Sequence, residues 1–258
     1  MNLDGLAHTS PVLLALLGGL ATWLLTLIGT LPVLVIRTVD RRLLDGMMGV
    51  AGGIMVAAAC WSLLVPALEI GGVWRTIGGF LLGAGVLWML DQSIPHLHAE
   101  FPDEARREGP PSQWRRATLL MAAITMHNLP EGLAVGLGFG SGDLHAGLVL
   151  TMGIGLQNIP EGLAIALPLR RDGMGRWKAL WWGQLSGVVE PVAAVVGALF
   201  VGWSGGILPW GLSFAAGAML YVVVEELLPE TQRSGAVDLT TVGFIAGFAL
   251  MMGLDQLG

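Results

Sequence analysis

Residues 117–139 read ATLLMAAITMHNLPEGLAVGLGF, and residues 145–169 read HAGLVLTMGIGLQNIPEGLAIALPL. Each run is apolar and close to the roughly 20 residues that a helix needs to cross a bilayer. Each also carries a polar hexapeptide near its middle. The first is His127-Asn128-Leu129-Pro130-Glu131-Gly132 and the second Gln157-Asn158-Ile159-Pro160-Glu161-Gly162, an internal repeat offset by 30 residues. A charge at the centre of a membrane helix costs roughly 2.5–3.5 kcal/mol on insertion scales. Two glutamates in matching positions of two such helices therefore require partners, water or an ion.

The spacing favours an ion. His127 and Glu131 are four residues apart and Asn128 and Glu131 three apart, so all three share one helix face. Gln157, Asn158 and Glu161 repeat that geometry. Each helix offers a stacked set of nitrogen and oxygen donors, and Glu131 and Glu161 can bridge two adjacent cations if the helices face each other. Each proline removes a backbone N–H and leaves a carbonyl four residues earlier without its donor. Pro130 thus frees the carbonyl of Met126 and Pro160 that of Leu156, and interrupted helices at the membrane midplane recur at transporter sites. A third mid-membrane acid, Glu190, precedes Pro191 in another apolar run and is expected to share the ligand role. Met55 lies in a further run; with twelve methionines in the chain, spacing alone gives it no role beyond core filling.

Eight apolar segments cover about 11–36, 46–69, 73–94, 117–139, 145–169, 178–202, 207–229 and 238–257. The chain has 12% charged residues, roughly half the 25% of an ordinary soluble domain, too few to cover a water-facing surface. The composition gives an all-α polytopic membrane protein: eight transmembrane helices in one bundle, a single domain over 1–258, surrounded by lipid bilayer, with no nucleic-acid partner. The Pro-rich, charged stretch 95–116 reads as a loop. Arginine and lysine concentrate in alternate loops: of the 13 in the chain, all but Arg75 fall in the loops after spans one, three, five and seven. By the positive-inside rule those loops, 95–116 included, are cytoplasmic and both termini extracytoplasmic. The first apolar run is far longer than a signal-peptide core and reads as a retained span. Cys60, the one cysteine, reads as a small buried hydrophobe. Gly79 with Gly83, Gly132 with Gly136, Gly183 with Gly187 and Gly243 with Gly247 fit helix packing inside the bundle.

The paired hexapeptides resemble the signature of the Zrt/Irt-like (ZIP) divalent metal transporters, in their GufA-like prokaryotic branch. The likeness extends to Glu190-Pro191, to Asp91…Pro95-His96-Leu97-His98, and to Glu226…Pro229-Glu230. It implies uptake of a divalent cation, zinc foremost, across the cell (inner or plasma) membrane by alternating access. It also implies a binuclear metal site at mid-membrane and a homodimer. One metal would use Met55, His127, Glu131, Gln157, Glu161 and Glu190, and the other Asn128, Glu131, Asn158, Glu161 and Glu190. Position 158 is Asp in some relatives; Asn here removes a negative charge and is expected to weaken the second site. Asp91, His96, His98 and Glu226 match metal-handling positions on the cytoplasmic exit path, and Glu225 stands where some relatives have His.

Carboxylate, imidazole, amide and thioether donors suit Zn²⁺ and also Cd²⁺, Fe²⁺, Mn²⁺ or Co²⁺, so a broad-range carrier is the alternative. No metal is expected as a catalytic cofactor; the ion is cargo. Protons compete with metal for the same carboxylates, so uptake is expected to weaken at acid pH. Other readings are a carboxylate-lined ion channel and an intramembrane metalloenzyme. The second lacks His-Glu-x-x-His, the usual general-base arrangement. A metal sensor is disfavoured because no sizeable soluble output domain is visible.

Overall fold

A computed structural model describes residues 9–95, 116–231 and 237–256, and no strand occurs among them. Among the described residues, six helical stretches are long and apolar enough to cross a membrane by length and composition. The helices are α1 (Pro11–Thr30), α2 (Arg41–Ala57), α3 (Val65–Ser93), α4 (Arg116–Gly140), α5 (Leu144–Arg171), α6 (Arg176–Leu185), α7 (Val189–Trp203), α8 (Leu208–Val222), α9 (Leu228–Thr231) and α10 (Val237–Gln256). Their starts follow local chemistry. Pro11 occupies the first turn of α1, where its missing N–H is unneeded. Asp40 accepts the Arg42 amide at the start of α2, and Asp143 accepts those of His145 and Ala146 at the start of α5, as N-caps do.

A wide π-helical turn over Ala58–Leu64 joins α2 to α3, giving a helical stretch of 53 residues. It is not one rod. Gly72 has φ 72° and ψ 172°, a conformation that a side chain would strain. Gly52 packs on Leu227, just past the C-terminal end of α8, and Gly71 on Pro209 at its start, so the chain runs the length of α8. After Gly72 it returns, and carboxylate oxygens of Asp91, Glu225 and Glu226 lie within 4.8 Å of one another. The stretch folds back on itself at Gly72.

Four pairs of helices run parallel, with glycines at each seam. Gly46, Gly49 and Gly53 of α2 abut Leu239, Thr240 and Phe244 of α10. In the same way Gly132, Gly136 and Gly140 of α4 abut Glu190, Ala194 and Ala198 of α7. Gly79 and Gly83 of α3 meet Ser213 and Phe214 of α8, and Gly155 and Gly162 of α5 meet Leu25 and Thr26 of α1. Missing side chains let backbones approach closely, which is what drives helix association where lipid is as apolar as the helices. Parallel partners require an odd number of crossings between them, as α5 lies between α4 and the continuous α6–α7 stretch. The pairs assemble into two groups, one of α1, α4, α5, α6 and α7, the other of α2, α3, α8 and α10, which meet mainly where α5 lies along α2 and α4 along α8.

The helices run through Pro130 and Pro160 without interruption. An interruption falls at Ser186–Val188, a single tight 3₁₀ turn just before Glu190-Pro191. Neighbours packed on both sides hold α4 and α5 straight enough to tolerate the lost hydrogen bonds. Helix α2 also begins at Arg41 rather than near residue 46, because the Asp40 cap adds a polar first turn to the apolar run.

Candidate metal centre

Glycines in the two hexapeptides set the site's dimensions. A Cβ on Gly132 would collide with the backbone of Glu190, and one on Gly162 with the carbonyl of Thr26. The residue after each repeat glutamate is thus the point where another helix touches. Glu131 and Glu190 are brought to the same depth, and α1 closes over them from the side.

Hydrogen bonds tie the acids into one network. Gln157 Nε2 donates to Glu131 Oε1 at 2.5 Å, so the second repeat braces the acid of the first. Asn128 Nδ2 donates to Glu190 Oε1 at 3.1 Å, and Asn158 Nδ2 to Glu190 Oε2 at 2.8 Å. Asn158 Nδ2 also reaches the Thr22 carbonyl at 3.2 Å, and the Thr26 hydroxyl reaches Glu190 Oε1 at 3.5 Å. Glu131, Gln157 and Glu190 are wholly buried, and Asn128, Asn158 and Met55 nearly so.

Oxygens are left over. Asn128 Oδ1, Glu131 Oε2, Gln157 Oε1 and Asn158 Oδ1 are buried with no hydrogen-bond partner among the described residues. A buried polar atom without a partner costs about 1–3 kcal/mol, so four of them beside one another call for an explanation. All four are hard, negative-leaning donors of the kind a divalent cation takes. The residues present fit a cation as ligand set.

Beside this network lies a cavity lined by Met55, His127, Glu131 and Glu161, with Met48, Glu226 and apolar residues such as Ile165 and Val222 completing its wall. Glu161 is half-buried and faces this space. His127 Nε2 lies 2.5 Å from Glu226 Oε2. The pair is an ion pair only when the imidazole is protonated. One turn away, Glu226 shares the acidic cluster with Asp91 and Glu225.

The structure therefore brings together all eight residues expected at mid-membrane: Met55, His127, Asn128, Glu131, Gln157, Asn158, Glu161 and Glu190. Asp91 and Glu226 meet in the neighbouring cluster, while His96 and His98 lie outside the described residues. Sequence reasoning missed Thr22, Thr26 and Met48, whose only signals were helical spacing within apolar runs. It also missed the direct contact of Glu226 with His127.

A model of the family described as ZIP zinc transporter matches residues 96–255. The chain is 42% identical to the zinc transporter ZIPB of Bordetella bronchiseptica, over 93% of this chain and 80% of that one. It is 39% identical to the zinc transporter GufA of Myxococcus xanthus, over 94% of this chain and 96% of that one. It is likewise 39% identical to the human zinc transporter ZIP11, over 95% of this chain and 97% of that one.

Proposed function

Because this chain belongs to the ZIP zinc transporter family, a family of multi-pass membrane proteins that carry metal ions, we propose that it takes up zinc through a binuclear site built on the two hexapeptides. The first ion is held by Met55, His127, Glu131, Gln157, Glu161 and Glu190. The second is held by Asn128, Asn158 and the same three glutamates. The observation that carries this reading is the set of four unpartnered buried oxygens on Asn128, Glu131, Gln157 and Asn158, gathered around acids that lipid alone would not tolerate.

For the second ion, the Asn128 and Asn158 amides turn so that oxygen replaces the nitrogen now bonded to Glu190. That exchange gives the site a way to release its cargo without a permanent cage. The reading places eight crossings in the chain: the six long apolar stretches, one of them doubled by the fold at Gly72, plus α4. The ends bearing Arg41, Arg170 and Arg176 then face the cytoplasm by the positive-inside rule.

Alternating access is supported by the division into two helix groups. Seven of the eight ligands sit on α4, α5 and the α6–α7 segment; only Met55 sits across the seam. Movement of one group against the other would break the Met55 contribution and expose the remaining ligands to the opposite side. Purified protein in liposomes holding a metal-sensitive dye tests the proposal. Saturable Zn²⁺ entry is expected, and its absence in vesicles of verified protein content would overturn it.

A further inference from the structure

Helix α2 gives the cavity wall two residues, Met48 and Met55, and no others. They are seven positions apart, so they stack on one helix face about 10 Å from each other along the axis. Met48 is 8% exposed and borders the same space as His127, Glu131, Glu161 and Glu226. It lies on the side of Met55 toward the Asp40 cap, the end of the bundle where Glu226 meets Asp91. A purely apolar wall is served equally by leucine, and the neighbouring helices do supply Ile, Val and Leu there.

We propose that Met48 is a second thioether donor on the ion's inward path and biases transport toward soft cations, Cd²⁺ above all. The inference rests on the site proposed above and extends it beyond its ligands. An ion leaving His127 and Glu161 for Glu226 passes the Met48 sulfur. Thioethers bind soft ions and contribute little to hard ones. The contribution therefore differs among metals that the carboxylates treat alike. Mn²⁺ should not sense the sulfur, Zn²⁺ should sense it weakly, and Cd²⁺ strongly.

The test is initial-rate uptake of Cd²⁺, Zn²⁺ and Mn²⁺ by proteoliposomes of wild type, Met48→Leu, Met48→Cys and Glu161→Ala. Leucine conserves volume and costs little in packing. Met48→Leu is expected to lower Cd²⁺ kcat/KM by about fivefold while Mn²⁺ stays within about twofold. Met48→Cys keeps a soft sulfur and restores the Cd²⁺ rate. An equal loss for all three metals, no loss for any, or a Cd²⁺ loss that cysteine fails to restore overturns sulfur donation. Glu161→Ala separates the two claims: if it transports all three metals at the wild-type rate, the underlying site is wrong, whatever Met48 does.

Discussion

His127 Nε2 sits 2.5 Å from Glu226 Oε2, joining α4 to the Val223–Leu227 turn across the seam between the two helix groups. In the proposed site that imidazole serves the metal, so Glu226 competes with the ion for it. Glu226→Gln keeps the shape and removes the charge. The apparent KM for Zn²⁺ should then fall, since the carboxylate no longer holds the imidazole away from the ion. Initial uptake rates across a zinc titration check this. An unchanged or higher KM means that Glu226 does not hold His127 back from the ion.

Glu131 and Glu161 bridge both proposed ions, so neither loss can be absorbed by the remaining ligands. Glu131→Ala and Glu161→Ala should each cut zinc uptake by at least about tenfold while the protein still reaches the membrane. Surface labelling and size-exclusion profiles verify the second condition. Wild-type uptake in either variant eliminates the site.

Much of this centre was readable in the chain, and the reason is physical. A glutamate inside a 20-residue apolar run is conspicuous, and its repetition after 30 residues fixes which helix faces turn inward. Local spacing then orders the donors on each helix. Contacts between distant segments leave no such trace. His127 and Glu226 are 99 positions apart, and neither hexapeptide shows that Gly132 seats Glu190 or that Gly162 seats Thr26. Pro130 and Pro160 show the same limit: a proline weakens a helix locally, but packing against α7 and α1 decides whether it bends.

Asn158 now donates to Glu190 at 2.8 Å and to the Thr22 carbonyl at 3.2 Å. Asn158→Asp replaces that donor by an acceptor and sets a second negative charge beside Glu190. Without zinc the variant should melt at a lower temperature than wild type, because like charges meet in a poorly hydrated place. With zinc the order should reverse, the second ion binding about tenfold more tightly. Thermal melts with and without Zn²⁺, together with bound zinc per chain, check both signs. A variant whose melting temperature and zinc content match wild type would show that position 158 is not a ligand.

Acid should weaken transport. In the proposed site protons and Zn²⁺ seek the same carboxylate oxygens of Glu131, Glu161 and Glu190, and binding metal would release the protons. Lowering pH raises the proton concentration, shifts these groups to the neutral form and reduces the share able to bind. The apparent zinc KM should therefore rise at least about tenfold between pH values of about 8 and about 5. The check is uptake at matched free zinc, with equal pH inside and out so that no gradient contributes. A flat profile would mean that the ion does not displace protons from these acids.

Gly132 tests whether the ligands are placed by backbone contact. A Cβ there meets the Glu190 backbone and the Ala193 side chain, so Gly132→Ala must push α7 away from α4 and carry Glu190 with it. Overpacking of this kind costs about 1–3 kcal/mol. Lower melting temperature and reduced zinc uptake should therefore appear together. Gly85→Ala in α3 is the control, since a Cβ at Gly85 meets no atom within 4 Å and alanine is the better helix former. That variant should take up zinc at the wild-type rate and melt no lower than wild type. If Gly132→Ala also matches wild type, α4 and α7 do not meet at this glycine, and the position of Glu190 needs another cause.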